Sequence, residues 1–424
     1  MMERPRLRVA LVSINYAPDR TGIGVYVSGL ARHLASRGMQ VDVYTAFPYY
    51  PHWRKPSGDE GRLYRAERDG AVRVRRHYLY VPSSPSALRR MVHEVSFVAS
   101  ASLGYLLGPR ADVTMVTSPP LPLGLPIGLI ARLKGSPCVF HVQDLQPDAA
   151  IELGLLKPGL LSALMYRVEH LTYRICRRVA TISHAMRDRI VAKGIDPQGV
   201  WLLRNWADDD VVSPRDRGTP LRSEWGLAGR HVVLYAGNLG VKQGIDMLLA
   251  AAQALRGEPD IAFVIVGDGG EKPRLERRAA ELGLDNVQFR PLQPRERLAE
   301  LLASADVSVI PQRAGATDIV LPSKLGNILA SGRPLVVSAA ESSELGRLAL
   351  DRGIALRIDP GSAEQLAAAV LRLRSDAALC ASLAGSGLAF MRTTLARDAV
   401  LPEFERRLLE LAGREPAGRE TRAP

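Results

Sequence analysis

"LRVALVSINYAPDRTGIGVYVSGLARHLASRG", residues 7–38, decides how the chain begins to fold. The run from Leu7 to Ile14 is mostly apolar and reads as a buried strand. A loop holding Gly22 and Gly24 follows, and then Val27, Leu30, Ala31 and Leu34 recur at helical spacing. Strand, glycine loop and helix in that order open a nucleotide-binding α/β unit. Two features depart from the dinucleotide fingerprint. Val27 stands where G-x-G-x-x-G needs its third glycine, and the loop Asn15 to Thr21 is too long for a tight strand-to-helix turn. The loop therefore calls for a ligand other than NAD.

The same alternation runs outward along the chain. Short β-branched runs are expected as strands at 7–14, 41–45, 72–76, 113–117, 138–142, 179–182 and 200–203. A second set is expected at 232–235, 262–266, 287–289, 307–310, 335–337 and 355–358. Helical stretches such as "GIDMLLAAAQALRG" (244–257) separate them. Apolar runs alternating with helices imply an α/β fold with doubly wound parallel sheets. The polar stretch "NWADDDVVSPRDRGTPLRSEWGL" (205–227) reads as a break, after which "HVVLYAGNLG" restarts with a strand and a glycine loop. The expected organisation is a first Rossmann-like domain over 1–207, a linker over 208–230 and a second domain over 231–392. A helix over 393–412 would return to the first domain, and 413–424 would be a disordered tail. Paired domains of this kind place their carboxyl strand ends toward one cleft.

At 424 residues the chain is long enough for two domains. Its net charge is +12, and residues 1–210 hold 28 Lys+Arg against 18 Asp+Glu. A basic first half suits an anionic partner such as a membrane surface, or serves solubility alone. For nucleic acid there is nothing beyond that net charge, and none is expected as a partner. Three widely spaced cysteines give no disulfide framework and no zinc spacing, as in a reduced, cytoplasmic chain. The amino terminus runs into a strand with no secretory-signal pattern. "VTMVTSPPLPLGLPIGLIA" (113–131) has the length of a membrane span, but four prolines and two glycines break it into strand, turn and helix.

Three segments carry candidate chemistry. In "GDGGEKPRLE" (267–276), Gly267, Gly269 and Gly270 either admit a ligand to the backbone or form an ordinary turn. In "IVLPSKLGNILASGRPLVV" (319–337), Pro322 fits the first helical position, which puts Ser323 and Lys324 in the first turn. Free amides and an ammonium at that point match a diphosphate. In "YAGNLGVKQG" (235–244), Asn238 and Lys242 would face the same ligand. "DDD" at 208–210 lies in a polar stretch rather than after a strand, so it reads as solvated acids. The eight histidines show no metal spacing, and no metal is expected.

In their order, "YAGNLGVKQG", "VIVGDGGEKPRLE", "VQFRPL", "ADVSVIPQ" and "LPSKLGNILASGRPLVV" resemble glycosyltransferase family 4, of the GT-B type. "INYAPDRTGIGVYVSGLARHLASRGMQVDVYTAFPYYPHW" and "HVQDLQPDAAIELGLL" look like its colanic-acid and O-antigen fucosyl- or N-acetylfucosaminyltransferase branch. The resemblance implies retaining transfer of a sugar from a nucleotide diphosphate sugar, with no cofactor or obligatory metal. The implied acceptor is a lipid-linked saccharide in cell-surface polysaccharide biosynthesis. It also implies that Gly22 and Gly24 lie under the donor phosphates and that His141 faces the transferred sugar, with Asp144 orienting the imidazole or a sugar hydroxyl. The family's E-x7-E pair is not matched: Asn327 takes the second place, and Asp318 lies beside the first. Asn327 can hydrogen-bond a ribose but carries no charge. "RRMVHEVSFVASASLGYLL" (89–107) suits either an interfacial helix on the inner face of the membrane or a core helix with a basic cap. A sugar-nucleotide isomerase on the same fold, an NAD-dependent oxidoreductase and a non-catalytic assembly partner are the alternatives.

Overall fold

Apolar runs too short for helices and too dry for loops become the strands of two sheets. The computed structural model describes residues 7–19, 22–49, 53–83, 86–152, 156–207, 211–313 and 321–414. The chain divides into two units, one of residues 1–204 with 401–424, the other of residues 205–400.

The first unit is built on β1 (Arg8–Val12), β2 (Gln40–Ala46), β3 (Tyr64–Asp69), β4 (Val72–His77), β5 (Val113–Ser118), β6 (Cys138–Val142), β7 (Arg178–Thr181) and β8 (Val200–Leu202). Their order is β3-β4-β2-β1-β5-β6-β7-β8, and every pair is parallel except β3 with β4. Val9, Val12, Val43, Val113 and Val139 are almost wholly buried, as strands covered on both faces require. The 113–131 segment resolves into β5, a turn at Leu121–Leu123 and the helix Gly124–Leu133. Among the described residues no helix is long and apolar enough to cross a membrane.

The second unit holds β9 (His231–Ala236), β10 (Ile261–Val266), β11 (Val287–Arg290), β12 (Val307–Ile310), β13 (Leu335–Ser338) and β14 (Leu356–Ile358). Their order is β11-β10-β9-β12-β13-β14, all parallel.

The stretch expected as a linker is largely part of the second unit's core. Val212, Leu221 and Leu227 are buried, and Pro220–Glu224 is helical. Asp306 fastens the segment: it accepts from Arg217 Nη1 at 2.6 Å and from the Val232 amide at 2.8 Å. The apolar residues are scattered singly among charges, so no periodicity betrays them. At the other end, residues from Leu401 onward join the first unit, where Glu405 accepts from His33 at 2.9 Å. Residues 208–210 and 415–424, expected as solvated acids and as most of the tail, lie outside the described residues.

Candidate functional site

Because all six strands of the second sheet are parallel, their carboxyl ends open onto one edge, where doubly wound sheets bind ligands. Two loops are zipped together there. The Gly237 amide donates to the Val266 carbonyl at 2.9 Å, Leu239 to Asp268 at 2.8 Å and Glu271 to Leu239 at 2.9 Å. A Cβ on Gly267 would stand 1.9 Å from the Gly237 carbonyl oxygen, and one on Gly269 would stand 2.4 Å from that of Leu239. Loop packing therefore accounts for these glycines. The space over Gly267 that the sequence leaves for a ligand is filled by protein.

Lys324 reaches into this cluster. Its Nζ lies 4.1 Å from the centre of the Tyr235 ring, and a Cβ on Gly237 would come within 2.6 Å of it. Tyr235 is fully buried and donates its hydroxyl to the Asn238 carbonyl at 2.6 Å. No carboxylate among the described residues forms an ion pair with Lys324, and burial lowers its pKa from 10.5 to about 8. Pro322 is not the first helical residue. The Leu325 amide closes a turn on the Pro322 carbonyl at 2.9 Å, and Lys324 caps the helix Leu325–Ala330. Six residues sum to a weak macrodipole, so the ammonium itself dominates the local field.

Beside the zipped loops is a pocket of about 470 Å³ bordered by Gly240, Asp246, Arg274 and Arg313. Arg274 is held by Asp246 at 2.8 and 2.7 Å. Lys324 and Gly267 are not on its walls.

In the first unit, Gly22 begins the helix Ile23–Ser36 at φ 62° with no side-chain cap and no acid in the first turn. The long loop before it is stitched rather than open. The Asn15 amide donates to the Asp19 carboxylate at 2.9 Å, and the Ala17 amide donates to Ser28 Oγ at 2.8 Å. Ser28 in turn donates to the Gly24 carbonyl at 2.7 Å. A Cβ on Gly24 would press on Asp19 at 3.2 Å, whereas nothing lies within 4 Å of one on Gly22. Burial raises the pKa of Asp19.

His141 lies inside β6, between Thr117 of β5 and Ala180 of β7. It is 3% exposed, and burial lowers its pKa to about 4, so the ring is neutral at physiological pH. Gln143 Nε2 lies 3.5 Å from its Nε2, and it hydrogen-bonds the Leu203 backbone. An amide donor facing Nε2 leaves Nδ1–H to donate to the Leu203 carbonyl. The Phe404 ring stands edge-on at 5.4 Å.

The "Glycosyl transferase 4-like domain" family matches residues 21–206, and "Glycosyl transferases group 1" matches residues 230–376. WcaI of Escherichia coli (strain K12), named as a colanic acid biosynthesis glycosyl transferase, is 38% identical over 380 residues, covering 86% of this chain and 91% of its own. This chain is a family 4/group 1 glycosyltransferase. Its fold is GT-B. Sucrose-phosphate synthase from Thermosynechococcus elongatus superposes with a TM-score of 0.74 at 20% identity, over 96% of this chain and all of that one. Anabaena HepE, solved with UDP and glucose, gives 0.69 at 16% identity over 96% and 100%.

Within the glycosyltransferase, the candidates fall into one group per unit. In the first unit, Gly22 and Gly24 shape one loop, and His141 is held by Leu203 and Gln143 at the adjoining part of the sheet. Asp144 follows β6, and among the described residues it is not one of the ring's partners. In the second unit, Lys324, Gly237 and Tyr235 meet directly, with exposed Asn238 and Ser323 beside them and Asn327 half-buried in the next turn. Lys242 lies in the turn Val241–Gln243, and its side chain falls outside the described residues, as does Asp318. No group of three potential metal ligands occurs among the described residues. Sequence reasoning missed Tyr235, because a tyrosine ending "VVLY" looks like any core residue. It also missed Glu344, a buried acid in the first turn of the helix Glu344–Arg352 after β13. The only available signal for Glu344 was Ser343, which caps that helix.

Proposed function

We propose that this glycosyltransferase moves a sugar, with retention at the anomeric carbon, from a nucleotide diphosphate sugar to a lipid-linked saccharide during cell-surface polysaccharide synthesis. One observation carries the reading: a desolvated lysine with no acidic partner among the described residues, at the ligand-binding edge of a parallel sheet. An ammonium held away from water is short of an anion, and a diphosphate supplies one. As the anomeric bond breaks, negative charge gathers on the departing phosphate, and Lys324 stabilises it. Asn327 hydrogen-bonds the ribose, while Asn238, Ser323 and Lys242 assist at the phosphates. In the first unit, the helix that Gly22 begins has no side-chain cap, and its free amides and the Gly22–Gly24 loop suit donor phosphates.

His141 contributes as a neutral hydrogen-bonding group near the sugar, with Asp144 beside it. A ring with a pKa of about 4 is a poor base at pH 7, which favours front-face attack with the leaving phosphate oxygen accepting the acceptor's proton. The colanic-acid name of WcaI supports a place in polysaccharide synthesis, and the resemblance of the first-domain motifs supports a fucose-like sugar. HepE's bound UDP supports a nucleotide donor. The helix Ala87–Leu107, with Leu88, Met91 and Val95 exposed behind Arg89 and Arg90, supports a resting place on the inner membrane face.

The test is a thermal-shift screen with UDP-, GDP- and dTDP-sugars, followed by NMR of the product formed on a lipid-linked acceptor. A single stabilising donor and a product that keeps its anomeric configuration are expected. An inverted product, or no donor that stabilises the protein, overturns the reading.

A further inference from the structure

The helix Ala87–Leu107 is apolar on two sides. Phe97, Ala101 and Tyr105 are buried against the first sheet, yet Leu103 is 56% exposed and Leu107 78%. Between this helix and the β3–β4 edge runs a groove of about 710 Å³, walled by Leu63, His77, Tyr78, Ala99, Leu103 and Leu107. Two glycines let the helix settle deeply. A Cβ on Gly104 would meet the His77 ring at 1.9 Å, and one on Gly108 would meet the Tyr44 hydroxyl at 2.1 Å.

We propose that this groove holds one hydrocarbon chain of the lipid-linked acceptor, a site that rests on the acceptor reading above. Its dimensions select the occupant. The lining runs from Ser96 to Gly108, about 18 Å of helix at 1.5 Å per residue, so 710 Å³ corresponds to a section of roughly 40 Å². A docked α-helix, about 10 Å or more across, has roughly twice that section and would leave about half of its girth outside the groove. An extended peptide would strand its amide groups against leucines. A flexible apolar chain fits both limits.

The floor is uncharged as well. Burial, assisted by Arg75, lowers the His77 pKa to about 4 and leaves the imidazole neutral. The groove is continuous with the exposed Leu103, Leu106 and Leu107 at the end of the helix, which gives a chain an apolar way in. Cations flank the end of the groove nearer the start of the helix, which suits a phosphate head. Arg75 is on the wall, where it also faces Asp42 at 3.4 Å, and Arg89 and Arg90 are in the first turn of the helix, about 9 Å of helix before Ser96.

The experiment titrates the full chain with octyl, decyl and dodecyl phosphate below their micelle concentrations, without donor. Affinity is expected to rise about fourfold per added CH₂, or ~0.8 kcal/mol each, until the groove is full. Ala99→Trp, made at an exposed position on the wall, is expected to weaken dodecyl phosphate at least tenfold with an unchanged melting temperature. Leu103→Glu repeats the test by another route if that variant misfolds. Three results would overturn the site. The first is affinity independent of chain length. The second is binding abolished by Leu88→Asp but untouched by Ala99→Trp, which is adsorption on the outer face. The third is a dimer in sedimentation velocity that dissociates on Leu103→Glu. Chain-length-dependent binding without transfer to any lipid-linked acceptor would strike the acceptor reading alone, and the reverse pattern would strike the groove alone.

Discussion

Replacing Lys324 by methionine should make the protein more stable and nearly inactive. Burial lowers the lysine's pKa from 10.5 to about 8, and each unit corresponds to ~1.4 kcal/mol, so keeping the ammonium charged costs about 3 kcal/mol. Methionine removes that cost. It also loses the contact with Tyr235, worth about 0.5–2 kcal/mol, and regains part of it through sulfur against the ring. The desolvation term wins, leaving a net gain of about 1–3 kcal/mol at pH 7. At 2–4 °C per kcal/mol for a unit of this size, the melting temperature should rise by about 3–10 °C. The sign of the pH dependence follows from linkage. The folded pKa is below the unfolded one, so the lysine's cost is fully present below pH 8. It fades as pH rises from about 8 to 10.5, where the unfolded chain binds more protons. The gap between wild type and variant should therefore close across that window. Calorimetry at pH 7 and 9.5 measures the gap, and turnover with the preferred donor should fall at least ~100-fold. A variant less stable than wild type at pH 7, or one with turnover within twofold of it, would refute the reasoning.

Donor affinity should fall above pH 8 as Lys324 loses its proton, and binding at pH 8 should take up a fraction of a proton, read by calorimetry in buffers of different ionisation enthalpy. Gly267→Ala should cost about 2–4 kcal/mol, because its Cβ would strike the Gly237 carbonyl, whereas Gly270→Ala, with nothing within 4 Å, should be near neutral. Urea unfolding of the pair distinguishes loop packing from ligand access. The first unit should lose stability by several kcal/mol between pH 6.5 and 4. His77 and His141 are buried neutral there with pKa values of about 4, so the unfolded chain takes up protons first on acidification. Ring signals from both histidines in NMR should stay neutral to pH 5 in the folded state.

The parallel strands were legible because strands buried on both faces leave a mark in the sequence: continuous β-branched runs. All thirteen expected runs are strands, with ends shifted by a residue or two. The fourteenth, β3, was invisible. "YRAERD" has no apolar face and lies at the sheet edge, where it is held by pairing with β4 and by Arg65 and Arg76 on Glu67. The segment 211–227 was misread for a related reason: isolated apolar residues have no period, and only the fold gathers Val212, Leu221 and Leu227 into one core.

At the candidate site, the residue type and order of "LPSKLGN" and "YAGNLG" pointed to Lys324 and its loop, because a lysine beside a helix start and a glycine turn is a local pattern. The lysine's depressed pKa was not readable, since it depends on Tyr235, 89 positions earlier in the chain, closing over the ammonium. Gly267 shows the converse. The sequence marked a glycine that was needed, and tertiary contact supplied the reason in a carbonyl from the neighbouring loop. Chain order alone determined the strand–helix alternation, two doubly wound sheets and the family. The protonation of Lys324 and His141, the membership of 211–227 in a core and the groove beside the helix Ala87–Leu107 were decided by the fold. Desolvation and steric fit depend on which distant side chains exclude water from a given atom, and no local spacing encodes that.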